Sequence, residues 1–182
     1  MFDPIASRID LVLAAMNSSL PTDTPELDVL FERLRTTTDK GARSEVEQRI
    51  WAIWCSHEDT VAATSMKNVM DSFEAGDLED AGQTLDTLID RWPRWAEAWN
   101  KRATLRFARE HDAESLDDIA RTLELEPRHF GALSGFGQIC LRAGDYTSAL
   151  LAFERVLVID PNLPEVHKAV ELLRKQAQPT IH

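Results

Sequence analysis

The residues best suited to chemistry are few, and they lack companions. Cys55 and His57 lie two positions apart, and thiolate with imidazole is a zinc-ligand combination. A closed zinc site needs four ligands, and no second pair accompanies these two. The remaining histidines, His111, His129, His167 and His182, are scattered. His129 follows Pro127 closely, at the start of an expected helix, where a neutral imidazole or a helix cap suffices. The chain has no Ser-His-Asp set, no His-Glu-x-x-His helix and no Gly-rich loop after a strand. The sequence therefore assigns no catalytic residue, no metal and no cofactor, and an enzyme is not expected. Cys55 and Cys140 are too few for a disulfide framework and read as part-buried thiols.

The charged residues point the same way. Arg102 invites an anion, but Asp118 lies sixteen positions later, where the next helix faces the first. An Arg102–Asp118 bridge satisfies a part-buried guanidinium, and Asp118→Ala is expected to destabilise the fold. From Asp71 to Asp90 there are seven acidic residues and no Lys or Arg. That run reads as a solvated face, with docking of a basic partner as the alternative. The formal charge of −11 opposes nucleic-acid backbones and anionic membranes as partners. No apolar run reaches the ~18 residues of a membrane span. The N-terminus carries Asp3 and a short apolar stretch from Leu11 to Met16, not a basic leader, so a cytoplasmic location is the expectation.

Positioning elements are written more plainly than chemistry. The chain has 182 residues, 43% hydrophobic and 28% charged, enough apolar material for one packed domain. Pro93, Pro127 and Pro161 are spaced by 34 residues. In the same phase come Ala81, Ser115 and Ala149, then Leu85, Ile119 and Phe153, then Leu88, Thr122 and Val156, then Ile89, Leu123 and Leu157. Small residues align with small, large apolar with large, and Thr122 is the polar exception. Gly76-Asp77 and Gly144-Asp145 mark turns one double period apart. Each unit reads as two antiparallel helices, with the small residue allowing close approach and the proline ending the second helix. Such a unit cannot bury its apolar face alone, so units stack into a solenoid.

This pattern resembles the tetratricopeptide repeat (TPR) family. Trp99 and Ala103 hold two of the family's first-helix positions in the middle repeat, while Leu133, Phe136 and Gly137 hold theirs in the third, with Cys140 in the aromatic place. The blocks Trp99 to Thr104 and Leu125 to Gly135 resemble a group of small bacterial TPR proteins of unassigned activity, whose members commonly begin with an export signal not seen here. The resemblance implies an all-α, right-handed solenoid. An irregular N-terminal helical segment is expected over 1–58. Three repeats follow over 60–93, 94–127 and 128–161, within a unit 59–182 closed by a capping helix.

Helices are expected at about 4–17, from Thr24 onward, 42–56, 60–75, 78–91, 95–109, 112–125, 129–142, 145–159 and 164–176. The last shows Val166, Val170 and Leu173 inward, with Glu165, Lys168, Glu171, Arg174 and Lys175 outward. Trp51, Trp54, Trp92, Trp95 and Trp99 are expected to glue the first repeat to its neighbours.

By the family's geometry the first helices line a concave groove. The partner-binding positions are Met66, Met70 and Phe73, then Glu97, Asn100, Thr104 and Phe107, then Ser134, Gln138 and Arg142. Met66, Met70, Phe73 and Phe107 would anchor an apolar peptide or helix, and the polar residues would orient it. The other reading of these residues is packing, either as core or beneath the N-terminal helices. The family's clamp for chaperone C-terminal carboxylates needs several cationic and amide donors. Its positions hold Met66, Met70, Lys101, Gly131 and Gly135, which excludes that ligand. The implied role is a non-enzymatic adaptor for a protein or peptide. The alternative is a structural or homo-oligomeric protein whose helix at 4–17 occupies the groove, in its own chain or a neighbour's.

Overall fold

The computed structural model describes residues 4–17 and 24–177. It contains α1 (Pro4–Met16), α2 (Pro25–Thr36), α3 (Lys40–Trp54), α4 (Thr60–Ala75), α5 (Leu78–Arg91), α6 (Ala96–Ala108), α7 (Asp112–Leu125), α8 (Phe130–Ala143), α9 (Tyr146–Ile159) and α10 (Pro164–Ala177). No strand occurs among the described residues. Helices α4–α9 form three stacked pairs, and α10 packs on α9.

The 34-residue phase acts through burial. Ala81, Ser115 and Ala149 are fully buried where the second helix of each pair approaches the first. At Ser115 the approach is close enough for its hydroxyl to donate to the Ala103 carbonyl at 2.8 Å. The polar exception, Thr122, is also buried and spends its hydroxyl on the Asp118 carbonyl at 2.9 Å. Arg102 forms the expected bridge, with Nε and Nη2 at 3.0 and 2.8 Å from the two Asp118 oxygens, and Arg106 adds a contact at 2.6 Å.

The turns inside repeats are also periodic. Gly76 (φ 76°) and Gly144 (φ 78°) end α4 and α8 in the left-handed region, and Asp77 and Asp145 then cap α5 and α9. The middle repeat places Glu110 and His111 there instead. Glu110 has φ 61°, the one non-glycine with positive φ among the described residues, and His111 makes no side-chain cap.

The core falls into two clusters. One joins the first repeat to α6 through Met66, Val69, Leu85, Leu88, Ala98 and Leu105. The other runs from α1–α3 through α7–α10 and includes Ala103. Helix α6 is the wall between them. Gly137 permits tight packing within the third repeat: a Cβ there would lie 2.7 Å from Phe153 Cζ.

The N-terminal helices do not extend the solenoid in series. Helix α1 packs along α7, burying Ile9, Val12, Ala15 and Met16, and Arg8 pairs with Asp117 at 2.9 Å. Helices α2 and α3 lie across the two junctions between repeats and the third, where the last repeat meets α10. At the first, Trp95 Nε1 donates to the Trp54 carbonyl at 2.7 Å. At the second, Arg128 meets Asp28 at 2.5 Å and Trp54 stacks on His129 with centroids 4.0 Å apart. At the third, Arg43 donates to the Asn162 carbonyl, and Asn162 Nδ2 donates to the Thr37 carbonyl at 3.0 Å. These contacts span from 41 to 125 residues of sequence, and helical periodicity carries no signal for them.

Candidate functional site

The first helices of the three repeats are α4, α6 and α8. The same position in three successive repeats holds Phe73, Phe107 and Leu141, all half-buried. Between α6 and α8 lies a cleft of about 120 Å3. Asn100, Thr104 and Phe107 line one side, Gly131, Ala132 and Gly135 the other, and Ser115 and Ile119 of α7 the floor. Arg142 sits over the Phe107 ring at 4.3 Å and pairs with Asp112 through two bonds, Nε–Oδ2 being 2.8 Å. An aromatic face thus lies beside a cation that an acidic group of a ligand can share.

The ten expected groove residues divide by burial. Met70, Thr104, Gln138 and Arg142 are exposed, while Phe73, Phe107 and Ser134 are half-buried. Met66 is 1% exposed and belongs to the core of the first repeat. Glu97 and Asn100, at 0% and 5%, are turned into a buried polar network. Met66 and Glu97 are therefore packing residues, Asn100 is buried but borders the cleft, and of the four expected apolar positions Met70, Phe73 and Phe107 stay at least partly accessible.

The network is the feature that sequence reasoning missed. His129 is fully buried. Its Nδ1 accepts the Ala132 N–H at 3.2 Å, which caps α8. The ring proton therefore sits on Nε2, which donates to Glu97 Oε2 at 2.8 Å. Asn100 Nδ2 donates to the same oxygen at 3.2 Å, and Lys101 Nζ lies 3.3 Å from the other. The Cys55 thiol reaches Glu97 at 3.9 Å. Burial, and then the Glu97 charge, push that thiol up to about 11. Cys55 thus serves Glu97, while His57 Nδ1 accepts the Asp59 N–H at 3.0 Å. No group of His, Cys, Asp and Glu among the described residues is arranged to hold a metal ion.

Helix α3 packs against the start of α8. Trp51 lies against Gly131, and Lys101 sits over the Trp51 ring at 5.4 Å. The tryptophans divide accordingly: Trp51 and Trp54 join α3 to α8, while Trp92, Trp95 and Trp99 pack on the first repeat. Helix α1 is not in the groove. The alternative in which residues 4–17 fill the groove of their own chain is corrected, because the apolar face of α1 is used against α7, the second helix of its repeat.

The acidic run is partly structural. Glu79 pairs with Arg109 at 3.1 Å and Asp86 with Arg102 at 2.7 Å, so two of its members tie adjacent repeats or helices together. No helix among the described residues is long and apolar enough to cross a membrane.

Comparison with known proteins agrees with this architecture. A tetratricopeptide repeat family model matches residues 101–164. A TPR repeat-containing protein of Rhizobium etli is 31% identical over 175 residues, covering 96% of this chain and 85% of that one. Among solved structures, the first TPR domain of Spaghetti, bound to an HSP90 peptide of sequence SRMEEVD, aligns with a TM-score of 0.57 at 20% identity, over 60% of this chain and 87% of that chain. With its 34-residue phase, its stacked helix pairs and a relative aligned over nearly its whole length, this chain belongs to the tetratricopeptide repeat family.

Proposed function

We propose that the protein is a non-enzymatic interaction module that binds a segment of a protein partner in the groove formed by α4, α6 and α8. The observation that carries this reading is the aligned apolar series Phe73, Phe107 and Leu141, all half-buried, of which Phe107 lines the cleft between α6 and α8. Apolar side chains repeated once per helix pair suit a ligand that crosses several repeats, and a groove with fixed polar groups sets its register. Met70 and Phe107 would anchor the segment. Thr104, Ser134, Gln138 and Arg142 would orient it by hydrogen bonds. The solved structure of a similar fold with a peptide bound supports the mode of use.

The test is recovery of partners from the native cell with the parent and with a Met70→Glu/Phe107→Glu variant. A protein recovered by the parent and lost with the variant is the expected result. A partner retained equally by both overturns this site.

A further inference from the structure

Two glycines border the cleft between α6 and α8. Gly131 and Gly135 of α8 lie one helical turn apart on its rim. One period earlier the same two positions hold Glu97 and Lys101, whose side chains meet at 3.3 Å. Gly131 has a packing reason, since a Cβ there would lie 2.7 Å from Trp51 Cη2. Gly135 has none: a Cβ there would meet Ile119 Cδ1 at an ordinary 3.6 Å. Glycine inside a helix weakens it, so a glycine that packing does not demand points to a use for the space it leaves.

The lining is selective in its chemistry. No charged side chain borders the cleft among the described residues, and Ala103, Ile119, Ala132 and the Phe107 ring give it apolar walls. Both hydroxyl protons are already used. Thr104 Oγ1 donates to the Asn100 carbonyl at 3.0 Å, and Ser115 Oγ donates to the Ala103 carbonyl at 2.8 Å. Asn100 is 5% exposed, and its amide orientation is set by Glu97, a carboxylate that accepts from Nδ2 at 3.2 Å. That leaves Oδ1 as the outer end of the amide. It accepts no hydrogen bond and is not sealed from solvent, and the cleft is the opening that Asn100 borders. A residue nineteen-twentieths buried thus holds out an unused acceptor to whatever enters.

A volume of about 120 Å3 is close to that of apolar cavities that take a benzene ring. An aromatic guest can pack on the Phe107 ring, and a phenolic hydroxyl supplies the donor that the cleft lacks. We propose that this cleft is a specificity pocket for one tyrosine side chain of the partner segment, its hydroxyl donating to Asn100 Oδ1. The proposal rests on the groove reading and names a residue that the bound segment carries.

Titration of the full chain with N-acetyl-L-tyrosinamide and with N-acetyl-L-phenylalaninamide, followed by backbone amide NMR shifts, tests it. The two probes share their backbone groups and differ by the hydroxyl. The tyrosine probe is expected to saturate, with shifts at Thr104, Gly131 and Gly135, and the phenylalanine probe to bind at least about fivefold more weakly. Gly135→Leu fills the cleft and is expected to abolish binding at a melting temperature that shows it folded. Asn100→Leu removes the acceptor and is expected to make the two probes equal. Gly135→Leu decides the matter if Asn100→Leu, which also leaves Glu97 a bond short, does not fold. Absence of saturation up to about 50 mM overturns the proposal, as does equal affinity of the two probes for the parent, or binding retained by Gly135→Leu. A partner lost with Met70→Glu/Phe107→Glu while the tyrosine probe fails to saturate overturns the pocket and leaves the groove reading standing.

Discussion

Gly131 and Trp51 meet at a distance that only a hydrogen atom allows. A Cβ built on Gly131 would lie 2.7 Å from Trp51 Cη2 and 3.3 Å from Cζ2. Helix α3 is thus seated on α8 through a glycine. Gly131→Ala is expected to push Trp51 outward and loosen α3 from α8, costing about 1–3 kcal/mol as overpacking usually does. Urea melts would show the loss, and near-ultraviolet circular dichroism would show the altered tryptophan environment. Unchanged values in both would mean that Trp51 does not depend on this contact.

The middle repeat lacks the Gly-Asp turn of its neighbours, and restoring it should stabilise the chain. Glu110→Gly relieves a side chain held at φ 61°, worth about 1 kcal/mol. His111→Asp supplies a cap to α7, worth about another 1 kcal/mol. The two changes are adjacent, so the double variant measures their coupling as well as their sum. Thermal melts of the four forms check both effects.

Asp118 is 1% exposed and serves two arginines. Asp118→Ala leaves Arg102 and Arg106 partly buried without it, and is expected to cost about 3–5 kcal/mol in urea melts. Arg102→Leu should cost less, because Arg106 still reaches Asp118 at 2.6 Å. A stability of Asp118→Ala equal to that of the parent would contradict the bridge.

The two thiols give the alkaline limb of the stability curve. Burial lifts Cys55 to about 11 and Cys140 to about 12, from an ordinary 9.0. A folded-state value above the unfolded one favours the fold while both thiols stay protonated. That contribution is complete below pH 9.0 and is lost as pH rises towards 11 for Cys55 and 12 for Cys140. Cys140→Ala should flatten that decline. Alkylation of the native chain at pH 8 should be far slower than in urea, since the thiolate is the reactive form. Equal rates would show that the thiols are not held in the folded core.

Local regularities carried most of the repeat architecture. Pro93, Pro127 and Pro161 follow the caps of α5, α7 and α9, and the phase of Ala81, Ser115 and Ala149 places the close approaches. The Arg102–Asp118 bridge was legible because both residues face each other inside one helix pair. The placement of α1–α3 was not, because it depends on contacts such as Arg43 with Asn162 and Trp54 with His129, which no period connects. The groove was legible by position but not by burial: Met66 and Phe107 look alike as apolar residues, yet one is core and the other lines a cleft. Glu97 and His129 are 32 residues apart in sequence, and their pairing follows from the close stacking of α6 on α8.

The central claim is that the groove of α4, α6 and α8 binds a peptide segment. The most direct measurement selects peptides from a random display library on the parent chain. The affinity of a selected peptide is then measured by calorimetry for three proteins: the parent, Met70→Glu/Phe107→Glu, and Asp90→Lys as a change at an exposed residue of α5. The account predicts a loss of about tenfold or more for the groove variant, at a melting temperature that shows it folded, with the Asp90 variant unchanged. Equal affinity for the parent and a folded groove variant would contradict it.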